Sequence, residues 1–176
     1  MTSGTDAATS GGQEEFVFRP IGYVHSSYVD PAKTPIQPLY AQGSQARVVI
    51  LPEYEEGLDD LDGFSHIFIL FIFHKAGPAA LKVKPYLESV KRGVFAARSP
   101  RRPNLIGLSL VRLVKREKNV LFVEDVDILD GSPVVDIKPF IPRFDTRSDA
   151  LSGWQEKISD IDAEEIGSRR SKEPCE

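Results

Sequence analysis

The chain has 176 residues, 41% of them hydrophobic and 27% charged, which is the composition of a soluble globular protein with material for one core. Its formal net charge of −4 excludes a uniformly basic surface, and its one cysteine, Cys175, excludes a disulfide framework and a cysteine-based metal site. The longest apolar run is too short to span a bilayer, and we see no signal peptide, so we expect a cytoplasmic protein without a membrane partner.

The first part of the chain predicts a tail, a strand, a loop and a second strand. Residues 1–14 are small and polar, which is typical of a disordered N-terminal tail, and we expect the folded domain to occupy residues 15–145. Apolar and aromatic residues give Phe16–Tyr28 strand character. Three prolines within Asp30–Gly43 exclude a helix and indicate a loop. The β-branched segment Ala46–Leu51 predicts the second strand.

The middle of the chain combines a predicted helix start with a long apolar run. Pro52–Phe64 begins with a proline and carries acidic residues in its first turn, as many helices do. The seven consecutive apolar residues Ile67–Phe73 predict a strand buried on both faces. Ala79–Arg92 is amphipathic but contains Pro85, so it predicts either a short helix or a loop.

The second half of the chain has the pattern of short strands. Gly93–Ser99 predicts one strand, Ile106–Arg116 and Val120–Leu129 predict a hairpin, and Val134–Phe140 predicts the last strand. Many short strands with few helices favour a mainly β fold. We expect a small closed or nearly closed antiparallel β-barrel with one or two short helices and polar tails.

The C-terminal residues 146–176 are polar and weakly patterned. We expect a tail with at most one short helix, able to dock on the barrel through its apolar residues Trp154, Ile158 and Ile161. Upstream of this tail, the segment Lys82–Lys118 carries a net positive charge, because it contains eleven basic residues and two acidic ones.

A basic loop is the first segment with clear chemistry. Gly93–Ser109 contains Arg98, Arg101 and Arg102 among two prolines, and a proline restricts the residue before it to extended geometry. Such a loop presents guanidinium groups in fixed directions, where they can bind carboxylate or phosphate through paired hydrogen bonds. The alternative is a solvated basic loop without a ligand. Gly107 could let a ligand approach the backbone closely.

Three aspartates surround the turn before the last predicted strand. Asp127, Asp130 and Asp136 could serve a tight Asp-Gly turn, or could hold ribose hydroxyls at a strand end. Lys138 could pair with Asp136 or Asp127. Their alternation with apolar residues matches no metal-binding spacing, so we expect no metal.

Two histidines bracket the apolar run. His66 and His74 are eight residues apart, which places them on the same face of an ideal strand. Two histidines without a third ligand make a zinc site improbable. His74 and the adjacent Lys75 would offer hydrogen-bond donors at the rim of a barrel, although a purely structural hydrogen bond is the alternative.

The motif R-S-P-R-R-P-N-L-I-G-L-S followed by D-I-L-D-G-S-P-V-V-D-I-K-P-F carries a family resemblance. It resembles the TsaA-like, or TrmO-like, family of S-adenosylmethionine-dependent tRNA N6-threonylcarbamoyladenosine methyltransferases, in order from Phe16 to Asp145. The family implies a β-barrel enzyme that uses S-adenosylmethionine as cofactor. It also implies a homodimer with the cofactor near the subunit contact, and methylation of N6 of N6-threonylcarbamoyladenosine beside the anticodon of tRNA.

The resemblance also implies which residues contact the cofactor. They lie in four segments: the proline-rich loop, the end of the apolar run, the basic loop with the start of the next strand, and the stretch before the Asp-Gly turn. In this order they are Pro35, Ile36 and Gln37; His74 and Lys75; Arg98 and Leu108; and Asp127, Ile128, Leu129 and Asp130. Leu108 would pack against the cofactor, and Arg98 would hold an anionic group, either the methionine carboxylate or an RNA phosphate. The candidates for a general base are His74, Asp127 and Asp130.

Basic residues outside that set are the candidates for contacts with RNA phosphates. They are Arg101, Arg102, Arg112, Lys115 and Arg116. The alternative is a solvated strand edge that its charge protects from pairing. The chain departs from the family pattern at Ile36, where arginine is common, and at Leu105, where proline is usual. We also expect the extra C-terminal domain of bacterial members to be missing, and the alternative function is then an S-adenosylmethionine-binding module or a methyltransferase for a different acceptor.

Overall fold

Six strands close into an antiparallel barrel in the computed structural model, which describes residues 15–169. The strands of the molecule are β1 (Gly22–Ser26), β2 (Gln45–Ile50), β3 (His66–Ile72), β4 (Lys82–Val83), β5 (Arg92–Gly93), β6 (Ile106–Glu117), β7 (Val120–Glu124) and β8 (Pro133–Pro139). The barrel order is β1, β2, β7, β6, β3, β8, and β4 pairs with β5 in a separate small sheet. The predicted mainly β barrel is confirmed, whereas the predictions for residues 1–14 and for Cys175 lie outside the described residues.

Alternation of side chains along the strands builds the core inside the barrel. Inward residues such as Val48, Ile69, Val111 and Leu121 are fully buried, because successive strand residues point to opposite faces. The prediction that the apolar run is buried on both faces is wrong. The outward side chains of β3 are only half-buried, since a barrel strand has one face outside.

The β6–β7 hairpin is confirmed, but β7 is shorter than predicted. It ends at Glu124, because the next residue, Asp125, adopts a positive φ of 60° after its N–H makes the last bond in register with β2, to the carbonyl of Ser44. The first strand is also shorter than predicted, since only Gly22–Ser26 is paired.

Of three predicted segments between the longer strands, the first begins as a helix, the second takes the loop alternative and the third is not a strand. Pro52–Phe64 contains two 3-10 helices, Pro52–Leu58 and Leu61–Gly63, separated by a left-handed Asp60. Ala79–Arg92 contains no helix. Gly93–Ser99 contains a 3-10 turn at Val94–Ala96, because the only strand beside its start is the two-residue β4.

The C-terminal segment turns back over the loops of the barrel. It contains α1 (Pro142–Asp145), a 3-10 turn at Gly153–Lys157 and α2 (Asp160–Ser168), which begins with a Ser159 cap. No helix in the described part of the chain is long and apolar enough to cross a membrane. Ile161 does not dock, since 79% of it is exposed, and α2 packs on the Pro38–Tyr40 turn of the proline-rich loop.

Candidate functional site

Two of the predicted cofactor segments meet through a direct hydrogen bond. Arg98 Nη1 donates to Gln37 Oε1 at 2.5 Å, which joins the basic loop to the proline-rich loop across 61 residues of sequence. The amide of Gln37 also donates to the carbonyl of Ile36 at 2.6 Å. Both hydrogen bonds hold the Gln37 amide in place, so this side chain orients the Arg98 guanidinium.

The carboxyl group of Asp127 is buried and accepts a hydrogen bond from Ser109. Burial raises the pKa of Asp127 to about 6, and three favourable interactions oppose this rise. They are the hydrogen bond from Ser109, a bond from its own backbone N–H, and the positive charge of Arg98. A carboxyl group with this pKa is mostly ionised at neutral pH and can still accept a proton.

Ser109 is the site residue that sequence reasoning missed. It is 2% exposed, and its hydroxyl donates to Asp127 Oδ1 at 2.5 Å. The signal was present in the pattern of β6, because Ser109 is a polar residue at an inward position of an otherwise apolar alternation. A buried hydroxyl of that kind needs a partner, and here the partner is the carboxylate.

Asp130 serves the turn that precedes β8. Its Oδ1 accepts from the backbone N–H of Ser26 at 3.1 Å and lies 3.8 Å from Nδ1 of His25. Its own N–H donates to the carbonyl of Tyr28 at 2.7 Å, and Gly131 follows with a φ of 75°. These contacts favour the tight-turn interpretation, in which Asp130 fastens the end of β1 to the turn.

The two histidines lie at opposite ends of β3. His74 comes after the strand has ended, is exposed, and has Nδ1 3.3 Å from the buried hydroxyl of Ser132. His66 contacts Ser65 at the other end, with Nδ1 2.9 Å from its hydroxyl. No cluster of three metal-ligating side chains occurs within residues 15–169.

The remaining predicted cofactor residues differ in where their side chains point. Leu108 lies on the outward face of β6 and is 54% exposed, so its side chain is available to a ligand. Ile128 is fully buried in the core, and its carbonyl accepts a hydrogen bond from the hydroxyl of Ser26 at 2.7 Å. The interpretation of Gly107 as a point of ligand approach is wrong, because the ring of Phe71 fills the space where a Cβ would lie.

The predicted RNA-binding residues are largely engaged within the chain. On the β6 side, Arg112 pairs with Glu124, while the pairs Lys115–Glu117 and Arg116–Asp59 have distances of 2.6 and 2.9 Å. Arg102 and Arg101 donate to backbone carbonyls, which braces the basic loop. The basic stretch is thus partly neutralised, although exposed ion pairs of this kind are weak and can exchange partners.

Residues 23–146 match the family model of the tRNA-methyltransferase O N-terminal domain. The chain belongs to this family. The match spans the barrel from β1 to the end of α1 and includes every predicted cofactor residue, whereas the 3-10 turn and α2 of the C-terminal segment lie beyond it. The resemblance drawn from the sequence motifs is confirmed.

Relatives of this chain in the methyltransferase O family carry different names. A Pyrococcus abyssi protein named "Probable S-adenosyl-L-methionine-binding protein" is 49% identical over 140 residues, covering 80% of this chain and 76% of that protein. A mouse protein named tRNA (adenine(37)-N6)-methyltransferase is 44% identical over 134 residues, covering 72% of this chain and 31% of that protein. The crystal structure of TrmO from Pseudomonas aeruginosa aligns with a TM-score of 0.68 and 38% identity, over 80% of this chain and 63% of that one.

Proposed function

We propose that the chain is an S-adenosylmethionine-dependent methyltransferase that acts on N6 of N6-threonylcarbamoyladenosine near the tRNA anticodon. The observation that carries the proposal is the hydrogen bond between Gln37 and Arg98, which brings together two of the predicted cofactor segments that are 61 residues apart in sequence. Family membership and the names of the relatives support the cofactor and the tRNA substrate.

The side chains of this region fit S-adenosylmethionine by their chemistry. The Arg98 guanidinium, oriented by Gln37, suits the methionine carboxylate, because guanidinium and carboxylate form paired hydrogen bonds. The exposed Leu108 offers an apolar surface for the adenosine moiety. When bound, the cofactor supplies a methyl group on an electrophilic sulfonium carbon.

Asp127 is the best candidate for the general base. The acceptor N6 is a carbamoylated nitrogen and a poor nucleophile, so removal of its proton assists the formation of the new N–C bond. Asp127 would take this proton on a carboxylate oxygen. The hydrogen bond from Ser109 would hold the carboxyl group in position. His74 and Asp130 are weaker candidates, because Asp130 is bonded to the backbone of β1 and His74 lies beside Ser132.

We also propose that two copies of the chain associate through the outward face of β3 and β6. The register pairs Leu70 with Leu108 and Ile72 with Ile106 on this face, which places four apolar side chains side by side. An apolar strip on the outside of a barrel favours a partner surface. Because Leu108 belongs to the strip and to the predicted cofactor set, the contact would lie beside the cofactor. Light scattering on the intact protein measures this state, and a monomer at micromolar concentration would contradict it.

Methylation of a different acceptor is the second candidate function. The ion pairs of Arg112, Lys115 and Arg116 favour it, since they reduce the positive charge available to RNA. A small-molecule acceptor would need no such charge.

Two measurements test the proposed function in sequence. Thermal unfolding with S-adenosylmethionine at about 100 times Kd should show a stabilisation of about 2.7 kcal/mol. Transfer of a labelled methyl group is then measured on tRNA with and without the threonylcarbamoyl group. Transfer only to the modified tRNA supports the proposal, equal transfer to both favours another acceptor, and binding without transfer favours a cofactor-binding module.

A further inference from the structure

A cavity of about 300 Å³ lies between the proline-rich loop and the end of α2. Tyr28, Lys33 and Tyr40 line it from the loop side, and Arg169 lines it from the side of α2. Among the predicted cofactor residues only Pro35 reaches it. The cavity is therefore largely separate from the residues assigned to S-adenosylmethionine, and its volume is at the lower end of the range for ligand sites.

Four contacts fix the walls of this cavity. The N–H of Ile36 donates to the carbonyl of Gly167 at 3.0 Å, and the ring of Tyr40 packs so closely on Gly167 that a Cβ there would come within 3 Å of it. Arg169 donates to the carbonyl of Pro31. Its guanidinium also lies over the ring of Tyr86, 4.0 Å from the centroid. These contacts tie α2 to the loop, so the shape of the cavity is built into the fold.

The lining is cationic and aromatic. Lys33 and Arg169 contribute two positive charges, and the described residues that line the cavity include no carboxylate. Lys33 is exposed, and its ammonium group forms no ion pair or hydrogen bond within residues 15–169, whereas its backbone N–H donates to the carbonyl of Asp30 at 3.1 Å. Two cations repel the sulfonium and ammonium groups of S-adenosylmethionine and attract a phosphate. The tyrosine rings suit a nucleobase, because every base has a face that can stack.

We propose that this cavity binds a phosphate-bearing nucleotide of the RNA substrate that lies next to the acceptor base. The inference rests on the proposed function, because it assumes that RNA is the substrate. It assigns part of RNA recognition to α2, which lies beyond the residues that match the family model. Arg169 also follows the C-terminus of α2, where a cation offsets the helix dipole, so Lys33 is the cleaner residue to test.

The test measures binding of a fluorescent anticodon stem–loop RNA to the full chain over a range of salt concentrations. For Lys33→Gln we expect Kd to rise several-fold and the slope of log K against log salt to fall by about one, as for loss of one phosphate contact. Lys118→Gln is the matched control, because Lys118 is an exposed lysine in the β6–β7 turn. Tyr28→Leu should weaken RNA binding by roughly tenfold through loss of stacking.

Binding of S-adenosylmethionine, measured by calorimetry on the same variants, should stay unchanged. Equal salt slopes for wild type and Lys33→Gln would overturn the proposal, as would loss of cofactor affinity without loss of RNA affinity. If the wild type methylates tRNA and Lys33→Gln keeps the wild-type salt slope, the cavity proposal is wrong and the proposed function stands. If wild type binds no RNA, the cavity proposal and the proposed function fail together.

Discussion

Ser109 donates a hydrogen bond of 2.5 Å to Asp127, and this bond joins the inside of β6 to the segment that follows β7. The bond favours the ionised carboxylate, whereas burial favours the protonated form, and burial has the larger effect. The balance leaves the pKa of Asp127 at about 6, a value suited to proton transfer near neutral pH.

The rate of methyl transfer should rise with pH through about 6 and then level off, because Asp127 accepts a proton only when it is ionised. Ser109→Ala removes an interaction that lowers this pKa, so the rising limb should move to higher pH. Ser109→Thr keeps a hydroxyl and should leave the limb close to its wild-type position. The measurement is kcat/KM as a function of pH. An unshifted limb in Ser109→Ala would mean that a different group titrates.

Replacement of Asp127 by asparagine should stabilise the protein at neutral pH while it abolishes turnover. Folding raises the pKa of this carboxyl from 3.8 to about 6, so the folded chain holds the proton more tightly than the unfolded chain does. The resulting stability is fully present below the unfolded pKa and is lost as pH rises through the folded pKa. At pH 7 the ionised carboxylate lowers the free energy of unfolding by at most about 3 kcal/mol.

The Tm of Asp127→Asn should therefore exceed that of wild type at neutral pH, and the gap should close as the pH falls toward about 4. Asp136→Asn is the control, because Asp136 lies at the surface in an ion pair with Lys138 at 2.8 Å. Exposed pairs of this kind contribute little to stability. A Tm of Asp127→Asn below wild type at both pH values would contradict the assigned cause of the pKa shift.

Arg98→Ala should weaken S-adenosylmethionine binding by about 10- to 100-fold, the effect of losing a hydrogen bond to a charged group. Arg98→Lys should restore little of it, because an ammonium cannot bind Gln37 and a carboxylate in the same forked geometry. Lys118→Ala, in an exposed turn, should leave the affinity unchanged. Titration calorimetry measures all three variants, and equal losses for Arg98→Ala and Lys118→Ala would refute the division between site and surface.

The barrel was predictable because its signal is local. The alternation in Ile106–Arg116 and Val120–Leu129 and the charged turn between them suffice to define a hairpin. Gly93–Ser99 was misassigned for the opposite reason. Its residues favour a strand, but a strand also needs a partner along its length, and the structure gives it only β4.

The site was predictable as a set of segments but not as a set of contacts. The motifs marked Gln37, Arg98 and Asp127, yet nothing local indicates that Gln37 would orient Arg98 or that Ser109 would hold Asp127. Such contacts depend on how the barrel closes. The same holds for Trp154, whose indole N–H donates to the carbonyl of Ala96 at 2.8 Å, 58 residues away in sequence.

A further prediction concerns Gly107, whose role is packing. A Cβ at this position would lie less than 3 Å from three atoms of the Phe71 ring, which is itself buried and packed edge-on against Phe73 at 5.0 Å. Gly107→Ala should therefore destabilise the barrel by about 1–3 kcal/mol through overpacking, which lowers Tm by several degrees. Gly57→Ala is the matched control, because a Cβ there meets nothing within 4 Å. Thermal unfolding compares the two. If both variants unfold at the wild-type temperature, Phe71 can move aside without cost, and the packing role assigned to Gly107 would be wrong.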